Sequence, residues 1–263
     1  MKKSSNLQRY IDYYLSFRPA FFSFIRPQEG FLFDENSRYI QSPILDFGCG
    51  DGFFAEMVFG KGKVEIGLDI PESRITEAKD KNIYKKIISY DGGRIPLNDA
   101  SVTTVVSNCV FEHLPNLDQN IAEISRVLKP GGYLLTSVMT NRWNDFLIGK
   151  HVFGTAYIKK FEQQQAHLNL LSRKTWETKL HKNKLKPIQT IGYLNQNTSR
   201  LLELAHLFSI PSLITLKAFN RWVLLPHWHK PLQLTKFISN ILNKSLKTKP
   251  AESAALFIVA QKE

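Results

Sequence analysis

Nine residues decide the fold: Ile44-Leu45-Asp46-Phe47-Gly48-Cys49-Gly50-Asp51-Gly52. The first four read as a short buried strand. Three glycines in the next five positions end it in a turn that side chains do not obstruct. Glycine bends the backbone sharply and lets a ligand approach without meeting a Cβ. Residues 53–59 fit a helix, whose free N–H groups face the turn and suit a polar or anionic ligand group such as a carboxylate.

Outward from this turn, the pattern repeats. Residues 64–69 read as a second strand, 72–81 as a helix, 84–89 as a third strand and 101–107 as a fourth. Asn116 and Gln119 have the spacing of a capping box, and Leu117, Ile121, Ile124 and Leu128 fall on one helical face. Lys129-Pro130-Gly131-Gly132 predicts a break, and Tyr133–Met139 a fifth strand. Ser172 is placed as an N-cap, with Leu171 and Trp176 as a hydrophobic staple, so 173–183 reads as a helix. Pro187–Leu194 and Ala254–Ala260 supply two more strands. Alternating strands and helices predict an α/β fold: a doubly wound, mostly parallel, seven-stranded, Rossmann-like sheet with a helical insertion before the last strand.

Two regions fall outside this repeat. Residues 7–17 carry Leu7, Tyr10, Ile11, Tyr14 and Leu15 at helical spacing, and 17–33 hold six phenylalanines among Pro19, Pro27 and Gly30. The second stretch reads as an irregular apolar flap. Residues 195–250 are unnecessary for the sheet: 200–210 is apolar almost all round, Pro211 interrupts, and 232–246 place Leu234, Phe237, Ile238, Ile241 and Leu242 on one face. The expected organisation is therefore 1–42 as N-terminal helix and lid, 43–194 with 251–263 as the ligand-binding domain, and 195–250 as a basic, apolar insertion.

Composition sets the class. In 263 residues, 43% are hydrophobic and 22% charged, which excludes a disordered or fibrous chain. Two cysteines, Cys49 and Cys109, are too few for a disulfide framework or a zinc cluster, so no metal set is expected. The basic start lacks the apolar run of a signal peptide, and no stretch approaches the ~18 apolar residues of a membrane span. A cytoplasmic chain is expected, free or peripheral on the inner face of the membrane. The net charge of +12 is unevenly divided: residues 1–140 hold 16 Lys and Arg against 17 Asp and Glu, whereas 141–250 hold 18 against 4. This division suggests two jobs in one chain; lysines that simply keep a greasy region soluble are the other reading.

What would the glycine turn hold? Asp69 ends the second strand 17 residues after Gly52, where a carboxylate can accept from both hydroxyls of a ribose. The dinucleotide fingerprint needs a third glycine at the position of Phe53, so a dehydrogenase is disfavoured.

The nine residues, together with Gly67-Leu68-Asp69-Ile70, Tyr90-Asp91, Arg94-Ile95-Pro96-Leu97, Ser107-Asn108-Cys109-Val110-Phe111-Glu112-His113 and Glu123-Ile124-Ser125-Arg126-Val127-Leu128-Lys129-Pro130-Gly131-Gly132, occur in consistent order. They resemble the class I S-adenosylmethionine-dependent methyltransferases, and within them the type 11 domain family. The likeness covers roughly 43–139 and extends more weakly to 165–194 and 254–262. It departs at Val102-Thr103, where the family carries Phe-Asp. The resemblance implies S-adenosyl-L-methionine as cofactor. Gly48, Cys49, Gly50 and Gly52 would wrap its methionine part, and Asp46 would hold the loop and the amino group. Asp69, with Ile70 beside it, would take the ribose hydroxyls. Asp91 and Gly92 would meet the adenine, and Asn108 and Cys109 would lie beside the transferred methyl.

A carbon or hydroxyl acceptor needs a base, whereas a neutral amine does not. His113, with Glu112 next to it, follows the fourth strand and is one candidate; a pocket-wall role is the other reading of this histidine. His167 is the second candidate base. A catalytically silent scaffold of the same shape is the alternative to an active enzyme. The acceptor is expected to be a small molecule or a lipid-linked group. The insertion reads either as a cap over the acceptor or as a contact with an anionic membrane surface; it has no nucleic-acid-binding motif.

Overall fold

A computed structural model describes residues 2–263, with side chains described from Asn6 onward. Met1, the first residue of the basic start read above, lies outside the described residues. In chain order the elements are α1 (Lys2–Phe17), a 3₁₀ turn (Ala20–Phe24), α2 (Arg26–Glu35), β1 (Ile44–Phe47), α3 (Phe53–Phe59), β2 (Val64–Asp69), α4 (Ile75–Asp80), β3 (Tyr84–Ser89) and β4 (Val102–Asn108). Then follow a 3₁₀ turn (Phe111–His113), α5 (Leu117–Val127), β5 (Leu128–Met139), α6 (Arg142–Phe146), α7 (Ile148–Gln165), α8 (Arg173–Lys182), β6 (Leu185–Tyr193), α9 (Gln196–Leu207), α10 (Ile210–Phe219), α11 (Leu234–Ser245) and β7 (Ala255–Lys262).

The seven strands form one sheet in the order β3-β2-β1-β4-β5-β7-β6. β1 pairs in parallel with β2 and β4, β2 with β3, and β4 with β5. β7 runs the other way. The Glu263 N–H donates to Lys184 O while the Ala254 N–H donates to Leu194 O, and Lys262 Nζ donates to Leu128 O. The order reverses between β1 and β4, so the carboxyl ends of these strands open a crevice where α/β sheets bind ligands.

The chain divides into two compact units. One holds Phe33–Asn141, Glu162–Ile191 and Leu256–Glu263; the other holds the chain up to Leu32, Arg142–Phe161 and Gly192–Ala255. The first is the sheet unit. Its core joins Leu45, Phe47, Val105 and Leu134 from the strands to Ile121 and Ile124 of α5 and Trp176 and Leu180 of α8. Ser172 caps α8 as its sequence predicts, its hydroxyl accepting from the Thr175 N–H.

Three local expectations are corrected. The Asn116 side chain makes no cap; its carbonyl accepts from both the backbone and side-chain amides of Asn120. Lys129-Pro130-Gly131-Gly132 does not separate helix from strand but is carried inside β5, where the register with β4 shifts between Val102 and Thr104. Gly131 takes φ +76°, and a Cβ on Gly132 would stand 2.7 Å from Thr103 O, so the two glycines allow the bulge to close on β4. The phenylalanine-rich flap is not irregular. Pro27 sits in the first turn of α2, where its missing N–H deprives the helix of nothing.

The second unit is built by segments distant in sequence. Leu7, Ile11 and Leu15 of α1 pack with Ile238 and Leu242 of α11. The division thus differs from the expected one: the first helix and the 195–250 insertion share a core. Asp12 Oδ1 lies 2.7 Å from Nε2 of the fully buried His229, and Trp228 Nε1 donates to Leu15 O. The buried Glu203 of α9 accepts from the N–H groups of Ile148 (2.5 Å) and Gly149 (3.0 Å) and from the Tyr157 hydroxyl (2.7 Å). Gly154 breaks α7 at φ 70°, ψ −155°.

Candidate active site

The turn after β1 is built as its glycines predict. Gly48, Gly50 and Gly52 take φ of +78°, +53° and +72°. They do so for different reasons. A Cβ on Gly48 would come 2.3 Å from Val110 Cγ2, whereas one on Gly50 would meet nothing within 4 Å. Gly48 is demanded by packing; Gly50 leaves a stretch of backbone bare. The N–H groups of Gly48 and Cys49 donate to Leu68 O, which ties the turn to the end of β2.

Asp69, at the end of β2, is tied to the same turn. Its Oδ2 accepts from the Gly50 N–H at 2.6 Å and its Oδ1 from the Ile70 N–H at 2.7 Å. Each carboxylate oxygen has lone pairs to spare for further donors. Partial burial raises its pKa, opposed by these amide bonds and by Ser73. Ile70 stands 43% exposed beside it, an apolar surface next to a polar clamp.

Asp46 lies beneath the turn, 7% exposed. Its Oδ2 accepts from the Tyr84 hydroxyl at 2.6 Å. Burial raises its pKa to about 7, with the Tyr84 hydrogen bond pulling down and the Asp69 charge pushing up. Tyr84 reaches Asp46 because Gly67, its neighbour on β2, has no side chain: a Cβ there would stand 2.7 Å from the Tyr84 ring. The sequence pattern does not mark Tyr84, though the unexplained Gly67 within a strand is its signal. Cys49 is buried, its thiol pushed far up by burial and by the Asp46 and Asp69 charges, and Cys109 is buried as well.

Asp91 is exposed, and its Oδ1 accepts from the Gly93 N–H at 2.9 Å. It holds the turn that Gly92 enters at φ +86°, with no atom within 4 Å of a Cβ there. At the end of β4, Ser137 of β5 fixes the two residues singled out above. Its hydroxyl lies 2.6 Å from Asn108 Oδ1, and the Cys109 N–H donates to both its Oγ and its carbonyl at 3.0 Å. Cys109 is thereby held at φ +52°. Ser137, fully buried, is a further site residue that the strand pattern alone did not mark.

Glu123 and Arg126 have a structural task. The Ile95 N–H donates to Glu123 Oε2 (2.9 Å), and Arg126 donates to Ile95 O (2.8 Å), Leu97 O (2.9 Å) and Asp99 Oδ1 (2.6 Å). These two side chains clamp the 95–99 loop.

Glu112 and His113 follow β4 in a 3₁₀ turn, yet their environments differ. Glu112 is fully buried, and its carbonyl accepts from the N–H groups of Leu168 (2.7 Å) and Asn169 (3.0 Å). His113 is half-buried, with Nδ1 3.0 Å from Ala166 O. A carbonyl only accepts, so Nδ1 carries a proton at this contact. His167 stacks on it, ring centroids 5.2 Å apart. Burial and the His113 charge depress its pKa to about 4, so the ring stays neutral near pH 7. The two candidate bases are thus neighbours, not alternatives at separate places. A surface groove of about 660 Å³ on α8 and β6, lined by Arg173, Lys174, Glu177, His181 and Lys182 among others, contains none of these residues.

A family described as a methyltransferase domain matches residues 45–136, from the core of β1 into β5. A probable S-adenosylmethionine-dependent methyltransferase of Mycolicibacterium smegmatis is 36% identical over 94 residues, which is 36% of this chain and 37% of that protein. A ubiquinone biosynthesis O-methyltransferase of Thiobacillus denitrificans is 28% identical over 130 residues, 47% of this chain and 55% of that one. The chain thus spans between a third and somewhat over half of the length of these two relatives. The crystal structure of a methyltransferase from Thermotoga maritima, described as a possible histamine N-methyltransferase, superposes with a TM-score of 0.58 at 16% identity, covering 99% of this chain and 100% of its own. At that identity the likeness is one of fold.

Proposed function

We propose that this chain, whose residues 45–136 match a methyltransferase domain family, is a class I S-adenosylmethionine-dependent methyltransferase that moves a methyl group from that cofactor to a small-molecule or lipid-linked acceptor. One observation carries the reading: the bare Gly50 backbone and the Asp69 carboxylate are joined by a 2.6 Å hydrogen bond. A surface without a Cβ therefore lies directly against a group that accepts from two hydroxyls. When bound, S-adenosylmethionine supplies an electrophilic methyl on a sulfonium.

The residues divide the work. Gly48, Gly50 and Gly52 wrap the amino-acid part, and the anionic form of Asp46 beneath them takes the ammonium. Asp69 takes the ribose, with Ile70 as an apolar platform. Asp91 and Gly92 frame the base. Asn108 and Cys109, pinned by Ser137, stand at the transfer position. The chain's main chemical contribution is alignment and exclusion of water. His113, oriented by Ala166 O in the turn just after β4, is the base for an acceptor that must lose a proton. Glu112 acts on position only, through its carbonyl on 168–169.

Calorimetry with S-adenosylmethionine on the wild type and on Asp69→Ala tests the reading. Binding by the wild type and a loss of at least about tenfold in the variant support it. A folded wild type that does not bind would leave a scaffold of the same shape. The acceptor is sought by incubating the protein with S-adenosylmethionine and cell extract and searching for metabolites that gain a methyl group.

A further inference from the structure

The segment between α9 and α11 breaks the rule that apolar side chains find a core. α10 reads Ile-Pro-Ser-Leu-Ile-Thr-Leu-Lys-Ala-Phe, apolar on every side, and none of its residues is buried. A helix apolar all round belongs in a protein interior or in a membrane. Phe208 is 81% exposed, Ile210 64%, Ile214 63% and Phe219 62%; Leu225, in the loop that follows, is 74% exposed. Isolated exposed leucines are ordinary, but a run of this kind is not.

The charges around it have one sign. From 204 to 251 there are seven Lys and Arg residues and no Asp or Glu. Lys217, Arg221, Lys230 and Lys236 are exposed in the same stretch as the apolar side chains. The ends of the stretch are held firmly. Glu203 and Leu202 are buried in α9, and Ile238 and Leu242 in α11 pack on α1. The exposed residues are therefore presented by anchored elements.

Length decides how such a segment could meet a bilayer. α10 has ten residues, about 15 Å at the α-helical rise, against ~30 Å for a hydrocarbon core. No single helix among the described residues is long and apolar enough to cross; α9 and α10 meet the composition only as a pair bent by 47°. The anchoring of Glu203 on Ile148, Gly149 and Tyr157 keeps the first half of α9 out of any such span.

We infer that residues 207–228 form a monotopic docking surface for an anionic phospholipid bilayer: α10 and the following loop enter the interface, and the flanking lysines and arginine meet the headgroups. The anionic cytoplasmic face of a membrane fits this surface. The inference stands apart from the methyl-transfer reading, since its readout involves no catalysis.

Flotation of the full chain with phosphatidylcholine vesicles, with and without about a third phosphatidylglycerol, tests it. The wild type floats with the anionic vesicles. The triple variant Phe208→Ser, Ile214→Ser, Phe219→Ser loses about tenfold or more in affinity while its circular dichroism and melting remain those of the wild type. Lys217→Gln and Arg221→Gln each weaken anionic binding by about fivefold and leave neutral vesicles unaffected, and added salt reproduces the effect. A folded wild type that stays unbound at low salt overturns the inference. So does a vesicle-free dimer that the triple serine variant dissociates, which would make a second copy the occupant.

Discussion

The Tyr84 hydroxyl donates to Asp46 Oδ2 at 2.6 Å across Gly67, so a residue at the start of β3 holds down the pKa of a buried carboxylate at the heart of the glycine turn. Asp46 is raised to about 7 by burial, and the Tyr84 bond is the main influence that opposes the rise.

A pH dependence follows from Asp46. A carboxyl whose folded pKa exceeds its unfolded value of 3.8 penalises the fold once it ionises. Without ligand, its contribution to stability therefore falls as pH rises from about 4 to about 7 and is constant above. Asp46→Asn removes that slope, so its melting temperature relative to the wild type climbs across this window. Scanning calorimetry at pH 4.5, 6 and 8 reads it. Tyr84→Phe and Gly67→Ala both withdraw the hydroxyl from Asp46, and each shifts the window to higher pH.

His167 has the opposite slope. Its pKa is depressed to about 4 by burial and by His113, below the unfolded value of about 6.5. The unfolded chain thus binds the extra proton between these values, and stability is lost as pH falls from about 6.5 to about 4. His167→Phe flattens this limb, by a few kcal/mol at most. Because the two slopes oppose each other, each is read as wild type against its own variant.

Two glycines of one turn separate packing from binding. Gly50→Ala has room for its Cβ and must only hold a positive φ, a strain of about 1–2 kcal/mol. It is expected to fold and to lose S-adenosylmethionine binding by about a hundredfold. Gly48→Ala drives a methyl into Val110 and is expected to lower the melting temperature sharply. Thermal melts and ligand calorimetry on the two variants show the contrast.

For methyl transfer, His113→Gln is expected to lower kcat by about a hundredfold if the acceptor must lose a proton, with S-adenosylmethionine affinity unchanged. Steady-state kinetics with the identified acceptor check it. Ser137→Ala removes the hydroxyl from Asn108 Oδ1 and the Cys109 N–H, leaving the Ser137 carbonyl in place, and is expected to lower kcat as well while Asp69 still holds the cofactor.

Glu203→Ala leaves the N–H groups of Ile148 and Gly149 and the Tyr157 hydroxyl without their acceptor. Buried donors deprived of a partner are worth about 1–3 kcal/mol each. Urea unfolding should register a loss of that order.

The sheet was legible in the chain because it is a local matter. Strand runs, glycine turns and helical faces alternate at fixed spacing from Ile44 to Met139, and period and turn chemistry are properties of neighbouring residues. The same locality made Gly48, Gly50, Asp69 and Ser172 readable. Tyr84, Gly67 and Ser137 were not, because each acts across strands, and which residue faces which depends on register. The flap reading failed at Pro27, where a proline in a first turn looks like a breaker until the helix around it is seen.

The amino-acid sequence by itself determined the alternation of strands and helices, the bare turn and the basic second half. Tertiary structure alone decided that α1 and α11 share a core, that His113 and His167 stack, and that α10 is left uncovered. The physical reason is that periodicity tells which side chains seek burial, whereas only the packed chain shows which of them found it.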